Sequence, residues 1–295
     1  CHFPYRLYLE SIKETFCLQS FSSIAKRFGV SVTSIIRWFD NLNYPHPKLP
    51  ECIAIDEFRG NAGGEKFQCN IADPVKHRVI DILPSRNMEN LCKHFLEYPY
   101  KERAAVKKII IDLSTLFRSV AKTMFPEAKI VADKFHVIRV VINSLENVRK
   151  RIQKEFHATK RKWFKRSRYL LLKPEYKLTS EDKIELARML NSSYDLEKAY
   201  VLKECFYEVF RKQTRTEAKK ELGKWLLLAA DLSLPEFQHC ITTFSNWKTE
   251  IANIIGERVS NGFIEGSNNK IKVLKRISYG VRNFNRFRNR ILYLE

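Results

Sequence analysis

The chain has 295 residues, 44% of them hydrophobic and 12% aromatic, with a formal net charge of +20 and an isoelectric point near 9.7. That length and apolar content exclude a disordered chain and allow a substantial core divided over two or three domains. The basic excess points to a polyanionic partner, nucleic acid first. No apolar run reaches the roughly 18 residues that cross a bilayer, and no signal-peptide pattern opens the chain, so a soluble cytoplasmic protein without a membrane partner is expected.

Seven cysteines, at positions 1, 17, 52, 69, 92, 205 and 240, form no Cys-x-x-Cys pair. They read as reduced thiols, with Cys52 and Cys69 inside apolar strand-like segments, and their spacing does not support a zinc site. A start at Cys1-His2, without Met, leads to the expectation of an upstream segment.

Residues 1–48 show helical periodicity in PYRLYLESIKETF, SFSSIAKRFGV and SVTSIIRWFDNL. The last two segments predict a helix-turn-helix. Ala25 is small where the helices cross, Gly29 supplies a positive φ at the turn, Ser31 caps the next helix, and Ile35 points inward. Thr33, Ser34 and Arg37 then face outward as DNA-reading positions. NYPHPKLPE, with three prolines and no periodicity, is a linker.

Residues 49–139 form the first part of the next domain. ECIAIDEF, EKFQCNIAD and HRVIDILP follow at short intervals and read as a three-stranded antiparallel meander, with GNAGG as a hairpin loop. Asp73 and Asp81 are assigned to the hairpin. A helix, NMENLCKHFLEYP, comes next, then a strand VKKIIIDL, a helix STLFRSVAKTMF capped at Ser114 or Thr115, and a strand AKIVAD. The strand-helix-strand part requires parallel strands joined by a right-handed crossover. A meander followed by this unit is the ribonuclease H-like order, so the fold class is α/β with an amino-terminal helix-turn-helix and a large all-α insertion. The insertion spans residues 140–252. Residues 253–295 supply a returning carboxy-terminal helix and a basic tail.

Three acidic residues lie at informative places in this order. Asp56 sits in an apolar first strand, Asp112 at the carboxyl end of the fourth, and Glu265 on the helix begun by Asn261-Gly262. A charge in an apolar, β-branched run is costly unless compensated, and a divalent cation does this. Transfer at a phosphodiester requires an activated hydroxyl on one side of phosphorus and a stabilised leaving oxygen on the other. Two Mg²⁺ ions, or Mn²⁺, held by carboxylates satisfy both needs. Adjacent parallel first and fourth strands would bring Asp56 and Asp112 together. Glu57 should point to the opposite sheet face.

On the returning helix Ile264, Ile271 and Leu274 share one face, whereas Glu265, Asn269, Lys272 and Arg276 share another. Read as one continuous helix, KIKVLKRISYGVRNFNRFRNR adds Lys270, Lys275, Arg282 and Arg286 to a basic, aromatic-interleaved DNA surface. The similar stretch KRKWFKRSRYLLLK fits a groove and a solvated helix face equally well. Asp133 and His136 read as a structural or supporting pair at a strand-to-helix junction, since one carboxylate and one imidazole do not complete a zinc site. No Gly-rich phosphate loop, Ser-His-Asp set or Cys-His nucleophile is found.

IDEF with Asp56, IIIDLS with Asp112, FPEAKIVADKFHVIRVV with Asp133 and His136, and NGFIEGSNNKIKVLKRISYGVRNFNRFRNRIL together resemble insertion-sequence transposases of the ISL-three family. The resemblance covers nearly the whole chain from the helix-turn-helix onward. It implies a bacterial DDE transposase that binds the inverted ends of its element as double-stranded DNA, cuts them and joins the 3′ ends to a target, acting as a dimer or higher oligomer. It implies Asp56, Asp112 and Glu265 as metal ligands, with Asp112 rather than Asp133 as the second acidic residue. It also implies a zinc-binding module ahead of the helix-turn-helix. A transposase-derived DNA-binding protein and a structure-selective nuclease of the same fold are the alternative readings.

Overall fold

The structure, a computed structural model, describes residues 4–44, 46–257 and 261–294. Cys1 and His2 lie outside the described residues. The chain divides into two compact units, Cys1–Ile130 with Val259–Glu295, and Val131–Arg258.

The first unit opens with helices α1 (Tyr5–Glu14), α2 (Phe21–Phe28) and α3 (Val32–Asp40). Ser20 and Ser31 cap the second and third by accepting from the backbone N–H of Ser23 and Ser34. Between them Gly29 turns the chain at φ 63°, a left-handed conformation that a Cβ would strain. Ile24, Ala25 and Ile35 form the buried seam, so the residues predicted to build the turn and the crossing do so.

Five strands follow: β1 (Cys52–Phe58), β2 (Gln68–Asp73), β3 (Arg78–Leu83), β4 (Lys108–Ile111) and β5 (Lys129–Ala132). Their order across the sheet is β3-β2-β1-β4-β5. β1 pairs antiparallel with β2 and parallel with β4, and β2 pairs antiparallel with β3. Burial on both faces explains why the start of β1 and Ile109–Ile111 of β4 read as unbroken apolar runs. Three helices intervene: α4 (Met88–Leu96), α5 (Tyr100–Ala104) and α6 (Thr115–Met124). The short α5 was not foreseen in the sequence.

The chain returns to this unit with α15 (Gly262–Ile277) and α16 (Phe284–Leu292). One continuous helix was expected here, and that reading is corrected. Tyr279 and Gly280 take φ of 52° and 88°, which ends α15, and Asn283 starts α16 by accepting from Arg286 N–H. Ile271 and Leu274 of α15 and Phe287 and Ile291 of α16 pack with Phe58, Ala62 and Ile82 in one buried cluster. That cluster fixes α15 on the sheet.

The second unit is helical after the end of β5: α7 (Lys134–Lys154), α8 (Ala158–Arg166), α9 (Arg168–Leu172), α10 (Ser180–Leu190), α11 (Tyr194–Tyr207), α12 (Arg215–Asp231), α13 (Gln238–Asn246) and α14 (Lys248–Ala252). Phe206, Trp225 and Phe244 centre its core, with the Phe206 ring 5.0 Å from each of the other two. Among the described residues no helix is long and apolar enough to cross a membrane.

Candidate active site

Asp56 and Asp112 stand at matching places on neighbouring parallel strands. Ile55 and Ile111 are register partners, and each aspartate is the next residue. Adjacent strands lie about 4.8 Å apart, so the backbone positions of Asp56 and Asp112 are neighbours across the β1–β4 pair. Both are half-buried. Asp56 Oδ1 accepts from the Glu57 N–H at 2.8 Å, and Asp112 Oδ1 accepts from the Ser114 N–H at 3.0 Å, in the turn that leads to the Ser114 cap of α6. Glu57 leaves the opposite face, as expected, and pairs with Arg86.

A second tie links Asp56 to α15. Asn268 Nδ2 donates to Asp56 Oδ2 at 2.8 Å, and Asn268 Oδ1 accepts from Asn70 Nδ2 at 2.9 Å. Asn70 is the register partner of Asp56 on β2 and also donates to Ser267 Oγ at 3.3 Å. Glu265 lies one turn ahead of Asn268 on the same helix and is exposed. Residues three apart on a helix are surface neighbours, so Glu265 sits one turn from the anchored Asn268; among the described residues the Asp56, Asp112 and Glu265 carboxylates do not come together as a group within 4.8 Å of one another. Asn70 and Asn268 escaped the sequence reading. The available signal was that FQCNIA carries two amides, Gln68 and Asn70, inside an otherwise apolar run, the second directly across from Asp56.

Burial pushes the Cys69 thiol well above its ordinary pKa, and the charges of Asp56, Glu57, Asp112 and Asp81 push it further the same way. This thiol therefore senses a concentration of negative charge at this part of the sheet.

The basic residues divide. Arg59, Lys272, Lys275, Arg276 and Tyr279 line a cleft of about 380 Å³. Partial burial, and next the Arg59 charge, lower the Lys275 pKa, and its Nζ donates to the Arg59 carbonyl at 3.2 Å. Arg59 was missed because it follows a strand rather than sitting in a basic run. Asn269 and Lys270 are exposed on α15, and Arg282 is exposed beyond it. Arg286 is engaged elsewhere: it makes two bonds to Asp40 at the end of α3, 2.8 and 2.6 Å. Arg290 is buried, donates to the Gln19 and Cys17 carbonyls and lies over the Phe21 ring. These contacts make α16 a mount for the three amino-terminal helices. On α3, Thr33 and Arg37 are exposed, while the Ser34 hydroxyl is within 2.8 Å of Ser31 Oγ.

Two further assignments change or resolve. Asp73 serves the hairpin, accepting from the Val75 and Lys76 N–H groups, whereas Asp81 is buried, accepts from Arg288 and faces His94. In the second unit Asp133 caps α7 and its Oδ2 lies 2.6 Å from His136 Nδ1. That unit also carries a basic cleft of about 730 Å³ lined by Arg149, Lys150, Lys154, Arg161, Lys162 and Lys165, among others.

A model of the ISL3 (ISL-three) transposase family, named DDE and described as transposase, matches residues 53–291. The chain belongs to the ISL3 family of DDE transposases. Among relatives of this ISL3 member, the transposase for insertion sequence element IS1001 of Bordetella parapertussis is 27% identical over 79% of this chain and 58% of its own length. The transposase for IS1557 of Mycobacterium tuberculosis is 25% identical over 78% and 57%. The chain thus spans under three-fifths of the curated transposases it matches. A protein of Lactococcus lactis named ATP-dependent protease is 34% identical over 39% of this chain.

Proposed function

We propose that this chain is the DNA-cleaving and strand-joining part of an insertion-sequence transposase, built on a ribonuclease H-like sheet, with Asp56, Asp112 and Glu265 as its catalytic carboxylates. The observation that carries this reading is the placement of Asp56 and Asp112 just beyond the Ile55–Ile111 register pair, with Asn268 tying the Glu265 helix to Asp56. The sheet order, three antiparallel strands and then a parallel neighbour of the first, supports the fold assignment.

The donor set suits a hard divalent cation, Mg²⁺ or Mn²⁺, in one or two positions: it offers carboxylate oxygens, and its negative charge already raises the Cys69 thiol. When bound, such ions activate the attacking oxygen and stabilise the leaving one. The protein's own groups do the positioning. Asn268 and the Glu57 N–H fix the Asp56 carboxylate, and the Ser114 N–H fixes Asp112. Lys272, Lys275 and Arg276 of the helix that carries Glu265, with Arg59 after β1, offer phosphate contacts from one cleft. Hydrolysis adds water across a P–O3′ bond and leaves a 3′-hydroxyl; in joining, that hydroxyl takes the place of water as nucleophile. Thr33 and Arg37 of α3 are the groups presented for reading inverted terminal repeats, with the protein acting as a dimer or larger assembly on paired ends in a bacterial cytoplasm.

The test is incubation with a labelled DNA end from the element's own flank, with and without Mg²⁺, beside Asp112→Asn. Mg²⁺-dependent nicking and joining by the unaltered chain, lost in the variant while DNA binding persists, is expected. Binding without cleavage by the unaltered chain would count against catalysis and leave a transposase-derived DNA-binding protein.

A further inference from the structure

We propose that His46, His94 and Glu97 form a transition-metal site, distinct from the carboxylate site, that clips the segment after α3 onto α4. One ring nitrogen from each histidine and a Glu97 carboxylate oxygen lie within 4.8 Å of one another. His94 and Glu97 are three apart at the end of α4, hence on one face, and His46 comes from the proline-rich linker. His46 Nε2 and Glu97 Oε2 are 3.4 Å apart. Ligands of a tetrahedral ion with bonds near 2.0–2.1 Å are about 3.3 Å apart, so this pair already has the spacing required.

A surface ion pair between His46 and Glu97 is the simpler account, and it leaves one observation unexplained. His94 is 7% exposed, and its Nε2 has no hydrogen-bond partner among the described residues. The hydroxyl of Tyr98, whose ring centroid is 4.4 Å from that of His46 and 5.7 Å from that of His94, is likewise buried without a partner. Two orphaned polar atoms at one place cost stability unless something engages them.

The other side of His94 is arranged as a metal-binding histidine requires. Its Nδ1 faces Asp81 Oδ2 at 3.7 Å, and Asp81 is itself held by the Ile82 N–H at 2.7 Å and by Arg288. At 3.7 Å the carboxylate attracts the ring without a hydrogen bond; a closer approach on metal binding would leave Nε2 as the donor. Two imidazoles and one carboxylate select Zn²⁺, Co²⁺ or Ni²⁺ over Mg²⁺.

Such a clip would tie residue 46 to the layer against the sheet. The mount for α1–α3 would then have two fixings, α16 and the metal.

Titration of the whole chain with Co²⁺, followed by visible ligand-field absorption, tests the site. One equivalent should give four-coordinate bands that Zn²⁺ displaces, retained in Asp112→Asn and weakened at least tenfold in affinity in His46→Ala and in Glu97→Gln. Both of those side chains are largely exposed, so the variants fold, as circular dichroism will verify. Zn²⁺ should also slow proteolysis of the linker in the unaltered chain and not in His46→Ala. Absence of Co²⁺ bands at millimolar metal, or bands of equal affinity in His46→Ala, overturns the proposal.

Discussion

Asn268 donates to Asp56 and accepts from Asn70, so its removal strands one buried amide and loosens one carboxylate at once. Asn268→Ala is expected to lower stability by about 1–3 kcal/mol, read by urea denaturation, because buried polar partners lose their bonds. Cleavage should fall about 10–100-fold, the usual effect of removing a group that orients a metal ligand. If activity were unchanged, the tie would be structural only. At the same scale, the thiols provide a check on burial. Cys17 is exposed and Cys69 buried with its pKa raised, so a thiol reagent at neutral pH should label Cys17 in the folded chain and reach Cys69 only on unfolding. Peptide mass spectrometry reads both.

Among the elements, the break between α15 and α16 decides what the basic tail does. α15 presents Lys272 and Arg276 outward, whereas α16 turns Arg286 and Arg290 toward the amino-terminal helices. Asp40→Ala should therefore weaken that mount without removing a phosphate contact. Its expected signature is faster proteolysis within residues 15–45, with the salt dependence of DNA binding unchanged. Gly29 gives a second test. A Cβ there meets nothing within 4 Å, so Gly29→Ala acts through its φ of 63° alone. The left-handed conformation costs about 1–2 kcal/mol for an alanine, which thermal unfolding should register.

For the whole molecule, the charge of +20 becomes meaningful only where cations converge. If Lys272 and Arg276 each neutralise one phosphate, replacing both with alanine should reduce the slope of log affinity against log salt by about 2. Binding would weaken across all sequences alike. An unchanged slope would place the DNA on another surface, for example the basic cleft of the helical unit.

What the sequence determined by itself was whatever depends on local pattern. β-branched runs and turn residues located all five strands to within a few positions, and Ser20, Gly29 and Ser31 do the capping and turning that their chemistry permits. Asp56 and Asp112 could be singled out as candidates because a carboxylate in or beside an apolar run stands out, and Glu265 because it lies near the start of a basic helix. Tertiary structure alone decided what depends on partners distant in the chain. Asn70 and Asn268 are separated by 198 residues, and neither is conspicuous until the helix packs on the strand. Asp81 looked like a hairpin residue until α4 and α16 supplied His94 and Arg288. Arg286 looked free to bind DNA until Asp40 reached it. Periodicity reports which face a residue occupies, but only the packed chain shows what that face meets.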